Sequence, residues 1–98
     1  MQPDKLSIEL SEIDGRLRLE LVGELDMAQT RKLEGVVDDD AAIAEIVVDT
    51  TGLSFIDSKG LAALFEMRER FGRDRFELIE GRVTAKLLDI SGLRDHLD

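Results

Sequence analysis

Ser58 is the residue of this chain whose position most clearly offers chemistry. It lies in the run Phe55-Ile56-Asp57-Ser58-Lys59-Gly60-Leu61, between a hydrophobic segment and a helical pattern. Unpaired backbone N–H groups at the start of a helix attract negative charge, so a serine hydroxyl there can cap the helix or carry a phosphate. A serine at the start of a helix is more often part of the helix cap than a phosphate acceptor. Here the capping side chain could be that of Ser58 itself or that of Asp57.

A phosphate on Ser58 would add about −1.5 to −2 charges at pH 7. Because the helix dipole favours negative charge at this end, we expect the fold to be preserved and the effect to fall on whatever docks there. Asp57 already contributes one negative charge. Gly60 has two interpretations, since a missing side chain permits close approach of a partner or tight packing against the sheet. Lys59 could pair with the phosphate, contact an acidic partner or be solvated.

Composition limits the classes of protein to which the chain can belong. Its 98 residues, 43% of them hydrophobic, suffice for one globular domain with a modest core. The absence of cysteine excludes disulfides, thiolate metal sites and a cysteine nucleophile. Neither an apolar run of about 20 residues nor a secretory leader is present, so we expect a soluble, cytoplasmic protein.

The charge balance indicates the kind of partner. Acidic residues number 22 against 13 basic ones, which gives a formal net charge of −9. This balance disfavours nucleic acids and anionic membrane surfaces, both of which are bound through Lys and Arg. A basic protein surface is the more plausible partner, although the charge could serve solubility alone.

The elements that would position Ser58 follow from periodicity and turn residues. Alternation over residues 6–11 and 16–21, joined at Asp14-Gly15, predicts an antiparallel hairpin. Gly23-Glu24-Leu25-Asp26 ends this sheet pattern, and a helix begins with Asp26 as its cap and Gln29 as the capping-box partner. Gly35 within this helix suggests a close packing contact there.

The second half of the chain predicts two strand–helix pairs. The run Ile46-Val47-Val48 does not alternate, which favours a strand covered on both faces, and Thr50-Thr51-Gly52 indicates a turn. The further elements are a helix from Ser58 to Phe71 ended by Gly72, a strand at Arg75 to Glu80, and a helix marked by Val83, Leu87 and Ile90 that ends at Ser91-Gly92. The order β-β-α-β-α-β-α predicts an α/β domain with a small mixed sheet, in which the antiparallel hairpin joins parallel strands.

Other candidate sites are weak. Asp38-Asp39-Asp40 lacks the alternate spacing of a calcium loop and is better explained as a solvated turn. His96 is the only histidine and has no nucleophile near it in sequence. We therefore expect no catalytic residue, metal or cofactor, and a protein that is not an enzyme.

Three segments of the chain resemble the motifs of STAS domains, most closely those of bacterial anti-sigma factor antagonists. They are Leu21-Val22-Gly23-Glu24-Leu25-Asp26, Leu53-Ser54-Phe55-Ile56-Asp57-Ser58-Lys59-Gly60-Leu61 and Leu88-Asp89-Ile90-Ser91-Gly92-Leu93. Their order and spacing match the family, and the resemblance implies one STAS domain over residues 1–98. Since family members commonly continue into one more helix, we expect a C-terminal helix that is short or missing here, and the apolar surface thereby exposed would favour a homodimer.

The resemblance implies a role for Ser58. In that family the serine after the aspartate is phosphorylated by an anti-sigma factor with GHKL-type serine kinase activity. The unmodified form binds the anti-sigma factor and frees the sigma factor, and a PP2C-type phosphatase resets the switch. Asp26, Asp57, Lys59 and Gly60 would then join Ser58 on the partner-facing surface, although helix capping suffices to explain Asp26.

Two other functions remain open. The chain also resembles the short STAS subunits of bacterial phospholipid ABC transporters, which dock through the same helix face without phosphorylation. Co-purification with a transporter ATPase would favour that function. A nucleotide-binding STAS protein is a third alternative, which calorimetry with GTP and ATP would test.

Overall fold

The computed structural model describes residues 5–36 and 44–96. Its one four-stranded sheet has the order β1-β2-β3-β4, with β1 Leu6–Ile13, β2 Arg16–Leu25, β3 Glu45–Ile56 and β4 Phe76–Ile79. The helices are α1 Thr30–Val36, α2 Ser58–Phe71 and α3 Arg82–Ser91, with 3₁₀ turns at Met27–Gln29, Arg73–Arg75 and Leu93–His96. β1 is antiparallel to β2, whereas β2, β3 and β4 are parallel. The predicted α/β class and mixed sheet are confirmed.

The hairpin forms as its turn residues predict. Asp14 and Gly15 both adopt positive φ angles, 54° and 80°, which a two-residue turn of this kind requires. The turn pairs Ile13 with Arg16 and sets the register of the whole hairpin. Leu17, Leu19 and Leu21 consequently face the same side and are buried.

The sheet buries one face under the helices. Ile46 and Val48 of β3 are fully buried in the core. Val47 lies on the opposite face, where it pairs in register with Arg18 and is only half-buried. The expectation that both faces of this strand are covered is therefore wrong. The helices cover the face that carries Ile46 and Val48, and none of the described helices covers the face that carries Val47.

β3 continues through residues 50–52, where the sequence predicts a turn. Its pairing with β2 shifts twice, which absorbs extra residues on β3 without ending the strand. Thr50 is fully buried, donates a hydrogen bond of 2.7 Å to the Ile79 carbonyl and accepts one of 3.0 Å from the Gly81 nitrogen. These long-range bonds hold the segment extended, so the predicted turn is wrong.

The helices near Ser58 begin and end at local signals. Asp26 accepts a hydrogen bond from the Gln29 nitrogen at 3.1 Å, but it caps the 3₁₀ turn that precedes α1. α2 ends at Gly72, whose φ of 93° suits glycine. A Cβ on Gly35 would meet no atom within 4 Å, so the packing contact expected there is absent. The aspartates at positions 38–40 lie outside the described residues.

α3 packs on the second half of β3 and ends at Gly92, which is left-handed as a C-cap. Thr84 and Leu88 form its buried stripe. Of the residues that mark the helix in the sequence, Ile90 is 72% exposed. The helix is thus predicted correctly, and Val83 and Leu87 are half-buried and pack against the core.

Candidate functional site

The carboxylate of Asp57 organises the start of α2. Its Oδ1 atom accepts a hydrogen bond of 2.7 Å from the backbone nitrogen of Gly60, which is the N-cap bond of the helix. Its Oδ2 atom accepts a second bond of 3.0 Å from the backbone nitrogen of Met27. One side chain therefore joins α2 to the loop that follows β2.

The sheet brings these two segments together. Leu25, the last residue of β2, pairs in register with Ile56, the last residue of β3. Because the two strands are parallel, their carboxyl ends meet at the same edge of the sheet. The backbone nitrogen of Asp57 also donates to the Leu25 carbonyl at 3.3 Å. The resulting surface contains both Asp26 and Ser58.

Ser58 is the first residue of α2, and its side chain is exposed. The N-cap bond is made by Asp57 rather than by Ser58. Capping thus does not explain the serine, and its hydroxyl is open to solvent at a position where the helix dipole favours negative charge.

Of the neighbouring candidate residues, Lys59 is exposed and Gly60 is buried. A Cβ on Gly60 would lie 2.3 Å from the Leu25 carbonyl oxygen and 2.9 Å from Leu25 Cγ. Between its two interpretations, the structure therefore supports tight packing against the sheet. The missing side chain of Gly60 is therefore explained by its contact with Leu25, and a contact of Gly60 with a partner stays a prediction.

Asp26 is half-buried within this surface, and its carboxylate has two partners. Besides capping the 3₁₀ turn, its Oδ2 atom lies 3.7 Å from the Lys5 ammonium. Met27, which the sequence analysis did not single out, is 65% exposed next to it. An exposed methionine offers an adaptable apolar contact for a partner. The one feature of the sequence that could have pointed to Met27 is its position, as an apolar residue directly after the capping aspartate.

Two charge clusters lie away from this surface. On the uncovered face of the sheet, hydrogen bonds from Thr51 and the nearby Arg18 guanidinium lower the pKa of Asp49. At the end of α3, Glu80 and Asp89 bind Arg94 at 2.8 Å and 2.6 Å and raise the pKa of its guanidinium. Both clusters connect distant segments and support the fold.

Within residues 5–36 and 44–96, the structure holds no group of three or more His, Cys, Asp and Glu side chains arranged to bind a metal. His96 lies exposed in the last 3₁₀ turn. Over the same residues, none of the helices is both long enough and apolar enough to span a bilayer.

Solved structures share this fold over nearly all of its length. An anti-sigma factor antagonist from Mycobacterium paratuberculosis is 26% identical with a TM-score of 0.76, and the match covers 97% of this chain and 85% of that one. The Bacillus cell fate determinant SpoIIAA in its phosphorylated form is 20% identical with a TM-score of 0.69, over 89% and 85%. A sulfate transporter family protein from Wolinella succinogenes is 20% identical with a TM-score of 0.67, over 86% and 72%.

Sequence comparison identifies the family. No curated protein matches the chain in sequence. The family model described as "Mlab, STAS domain" matches residues 8–97. This range includes β2 and β3, whose ends meet at the site, and the helices α2 and α3. The solved structures of similar fold include anti-sigma factor antagonists. This chain therefore belongs to the Mlab family of STAS domains.

Proposed function

We propose that this protein is an anti-sigma factor antagonist whose binding is switched off by phosphorylation of Ser58. The observation that carries the proposal is the exposed hydroxyl at the first residue of α2, with the cap supplied by Asp57. A hydroxyl that is not needed for capping can be modified without loss of the helix start. The unmodified protein would bind the anti-sigma factor and thereby release a sigma factor.

The charges around Ser58 explain how a phosphate would act. It would add about two negative charges beside the Asp57 carboxylate, at a helix end where the dipole tolerates them. The fold would be preserved, but a docked partner would have to accommodate the bulk of the phosphate and would face the added cost of desolvating its charges. Phosphorylation would therefore increase the dissociation rate of the complex.

The comparisons support this proposal. The antagonist from Mycobacterium paratuberculosis is matched over 97% of this chain. SpoIIAA, an anti-sigma factor antagonist of the same fold, has been solved in a phosphorylated form. The partners proposed for the present chain are an anti-sigma factor with GHKL-type serine kinase activity and a PP2C-type phosphatase. The chain itself would act in the cytoplasm by binding and not as an enzyme.

The first experiment tests whether Ser58 is the residue that accepts the phosphate. Incubation with the cognate anti-sigma kinase and ATP should add one phosphate, which mass spectrometry would locate on Ser58, and Ser58→Ala should abolish the addition. Ser54→Ala is the matched control, because Ser54 is also exposed but its hydroxyl donates to the Gly23 carbonyl at 3.1 Å. Unchanged phosphorylation of the Ser58→Ala protein would contradict the assignment.

The second experiment separates binding from stability. Ser58→Asp should weaken binding to the anti-sigma factor at least about tenfold, which corresponds to 1.4 kcal/mol. Its free energy of unfolding should change by less than about 1 kcal/mol, because an acidic residue in the first helical turn is favourable. If Ser58→Asp instead unfolds the protein, the serine has a structural role.

A second candidate function is that of a STAS subunit in a bacterial phospholipid ABC-transport complex. It is favoured by the family model, which is described as Mlab, and by the shared fold of a sulfate transporter family protein. Such a subunit would dock through α2 without phosphorylation. Affinity purification from the native cell distinguishes the two, because a transporter ATPase supports this candidate and a GHKL-type kinase supports the first.

A further inference from the structure

A groove runs between α1 and α2, beginning at the end of α2 that carries Ser58. It consists of two depressions with volumes of about 180 Å³ and 340 Å³. Both depressions are lined by Glu34, Ala63 and Glu66, so they adjoin one another along α2. Met27 and Lys59 line the end nearest Ser58, and Arg70 lines the far end.

The length of the groove fits a short helix. Lys59, Ala63, Glu66 and Arg70 line it at spacings of three and four residues, which places them on one side of α2. The rise of 1.5 Å per residue gives about 16 Å from the first to the last. This length corresponds to roughly three turns of a docked helix.

The floor of the groove is apolar and contains small side chains. Leu33, Ala63 and Met67 line the floor and are themselves largely buried in the core. Ala62 beside them is exposed and short, so a partner's backbone could approach α2 closely. The exposed Met27 supplies a flexible apolar side chain at the entrance. The apolar surface that a partner could reach is therefore that of Ala62 and Met27, which suits the apolar stripe of another helix.

The walls of the groove carry opposed carboxylates. Glu34 comes from α1 and Glu66 from α2, and both side chains are exposed. They line the part that the two depressions share, whereas Lys59 and Arg70 line its two ends, so the charge pattern is complementary to a cationic side chain at the middle of a docked helix. The net charge of −9 adds a wider attraction for a basic partner.

We infer that this groove binds an amphipathic helix of about three turns, with one apolar stripe and Lys or Arg at its middle. The helix would belong to the protein partner that Ser58 controls, so the inference rests on the proposed function for the identity of the partner. Because the groove begins beside Ser58, a phosphate there would act at one end of the same docking surface.

The test uses a designed peptide rather than an identified partner. The probe is a stapled helical peptide of about 14 residues with leucines along one side and two arginines at its middle. Fluorescence anisotropy should show binding to the wild-type protein and at least about tenfold weaker binding to Glu34→Lys/Glu66→Lys, equivalent to 1.4 kcal/mol. A second peptide with two glutamates in place of the arginines should prefer the double variant.

Glu69→Lys is the matched control, because Glu69 lies on the same helix, is 80% exposed and does not line the groove. It should change the affinity less than about twofold, within the range of exposed ion pairs. Failure of the arginine peptide to bind, equal affinity for wild type and double variant, or an equal loss in the control would overturn the inference. Absence of phosphorylation at Ser58 would instead contradict only the proposed function, since neither the kinase nor Ser58 takes part in this experiment.

Discussion

The Oδ2 atom of Asp57 lies 3.0 Å from the backbone nitrogen of Met27, thirty residues earlier in the chain. The same carboxylate caps α2 through Gly60 at 2.7 Å. The geometry of the surface around Ser58 therefore depends on one side chain that satisfies two backbone N–H groups from different segments. Its loss would affect both the stability of the domain and the alignment of Met27 with Ser58.

Asp57→Ala should lower the free energy of unfolding by about 2 kcal/mol. Loss of an N-cap costs about 1 kcal/mol, and loss of a further hydrogen bond costs a similar amount. Asp57→Asn keeps one acceptor oxygen and should cost about half as much. Urea unfolding followed by circular dichroism would measure both differences.

Ser58→Ala is the control for this prediction, because Asp57 provides the cap. It should change the free energy of unfolding by less than about 0.5 kcal/mol, as expected of an exposed position. A cost equal to that of Asp57→Ala would show that Ser58 holds the helix start, and the case for a free phosphate acceptor would fail.

Gly60→Ala and Gly35→Ala should change stability in opposite directions. A Cβ at position 60 would lie 2.3 Å from the Leu25 carbonyl oxygen, so α2 must move away from β2 at a cost of about 1–3 kcal/mol. A Cβ on Gly35 would meet nothing within 4 Å, and alanine should stabilise α1 by about 0.5–1 kcal/mol. Thermal unfolding of the two variants would show whether each change in stability has the expected sign. Destabilisation of both variants would contradict the prediction.

The elements that the sequence predicted correctly depend on signals within a few residues. Asp14 and Gly15 determine the hairpin because both accept positive φ. Asp57 and Gly72 mark the two ends of α2 by local capping. The position of Ser58 at a helix start follows from the same signals, since strand, cap and helical stripe succeed one another directly.

Features that depend on distant contacts could not be predicted. Residues 50–52 contain turn formers, but the bonds of Thr50 to Ile79 and Gly81 keep them in β3. The burial of Gly60 depends on Leu25, and the groove depends on how α1 packs on α2. Glu34 and Glu66 are separated by 32 positions, so no periodicity relates them.

Thr51→Val should produce a stability loss that depends on pH. The Thr51 hydroxyl and backbone nitrogen donate to Asp49 at 2.7 Å and 2.9 Å, and together with Arg18 they hold the pKa of this carboxyl below its ordinary value of 3.8. A depressed folded-state pKa contributes stability that is present above 3.8 and lost as pH falls through the folded-state value. The variant should therefore be about 1 kcal/mol less stable at pH 7, and the difference should shrink in stronger acid.

Thr30→Val is the control for this dependence, because the Thr30 hydroxyl donates to the Met27 carbonyl, which does not titrate. Its cost should stay constant with pH. Urea unfolding of wild type and both variants at a series of pH values would measure the differences. A Thr51→Val difference that remains equally large well below pH 3.8 would show that Asp49 does not use this bond to hold its charge.

Lys59→Gln should enlarge the effect of phosphate on binding. The Lys59 ammonium is exposed beside Ser58, and part of the new negative charge would be offset by it. Exposed ion pairs contribute about 0.2–1 kcal/mol, so the ratio of anti-sigma affinities before and after phosphorylation should rise by up to about fivefold. The increase should diminish as salt concentration rises, because the two charges are solvent-accessible.

Lys86→Gln, which removes an exposed lysine from α3, should leave the ratio unchanged. Isothermal titration of both phosphorylation states would give the ratios directly, and an unchanged ratio for Lys59→Gln would mean that this lysine contacts the partner rather than the phosphate.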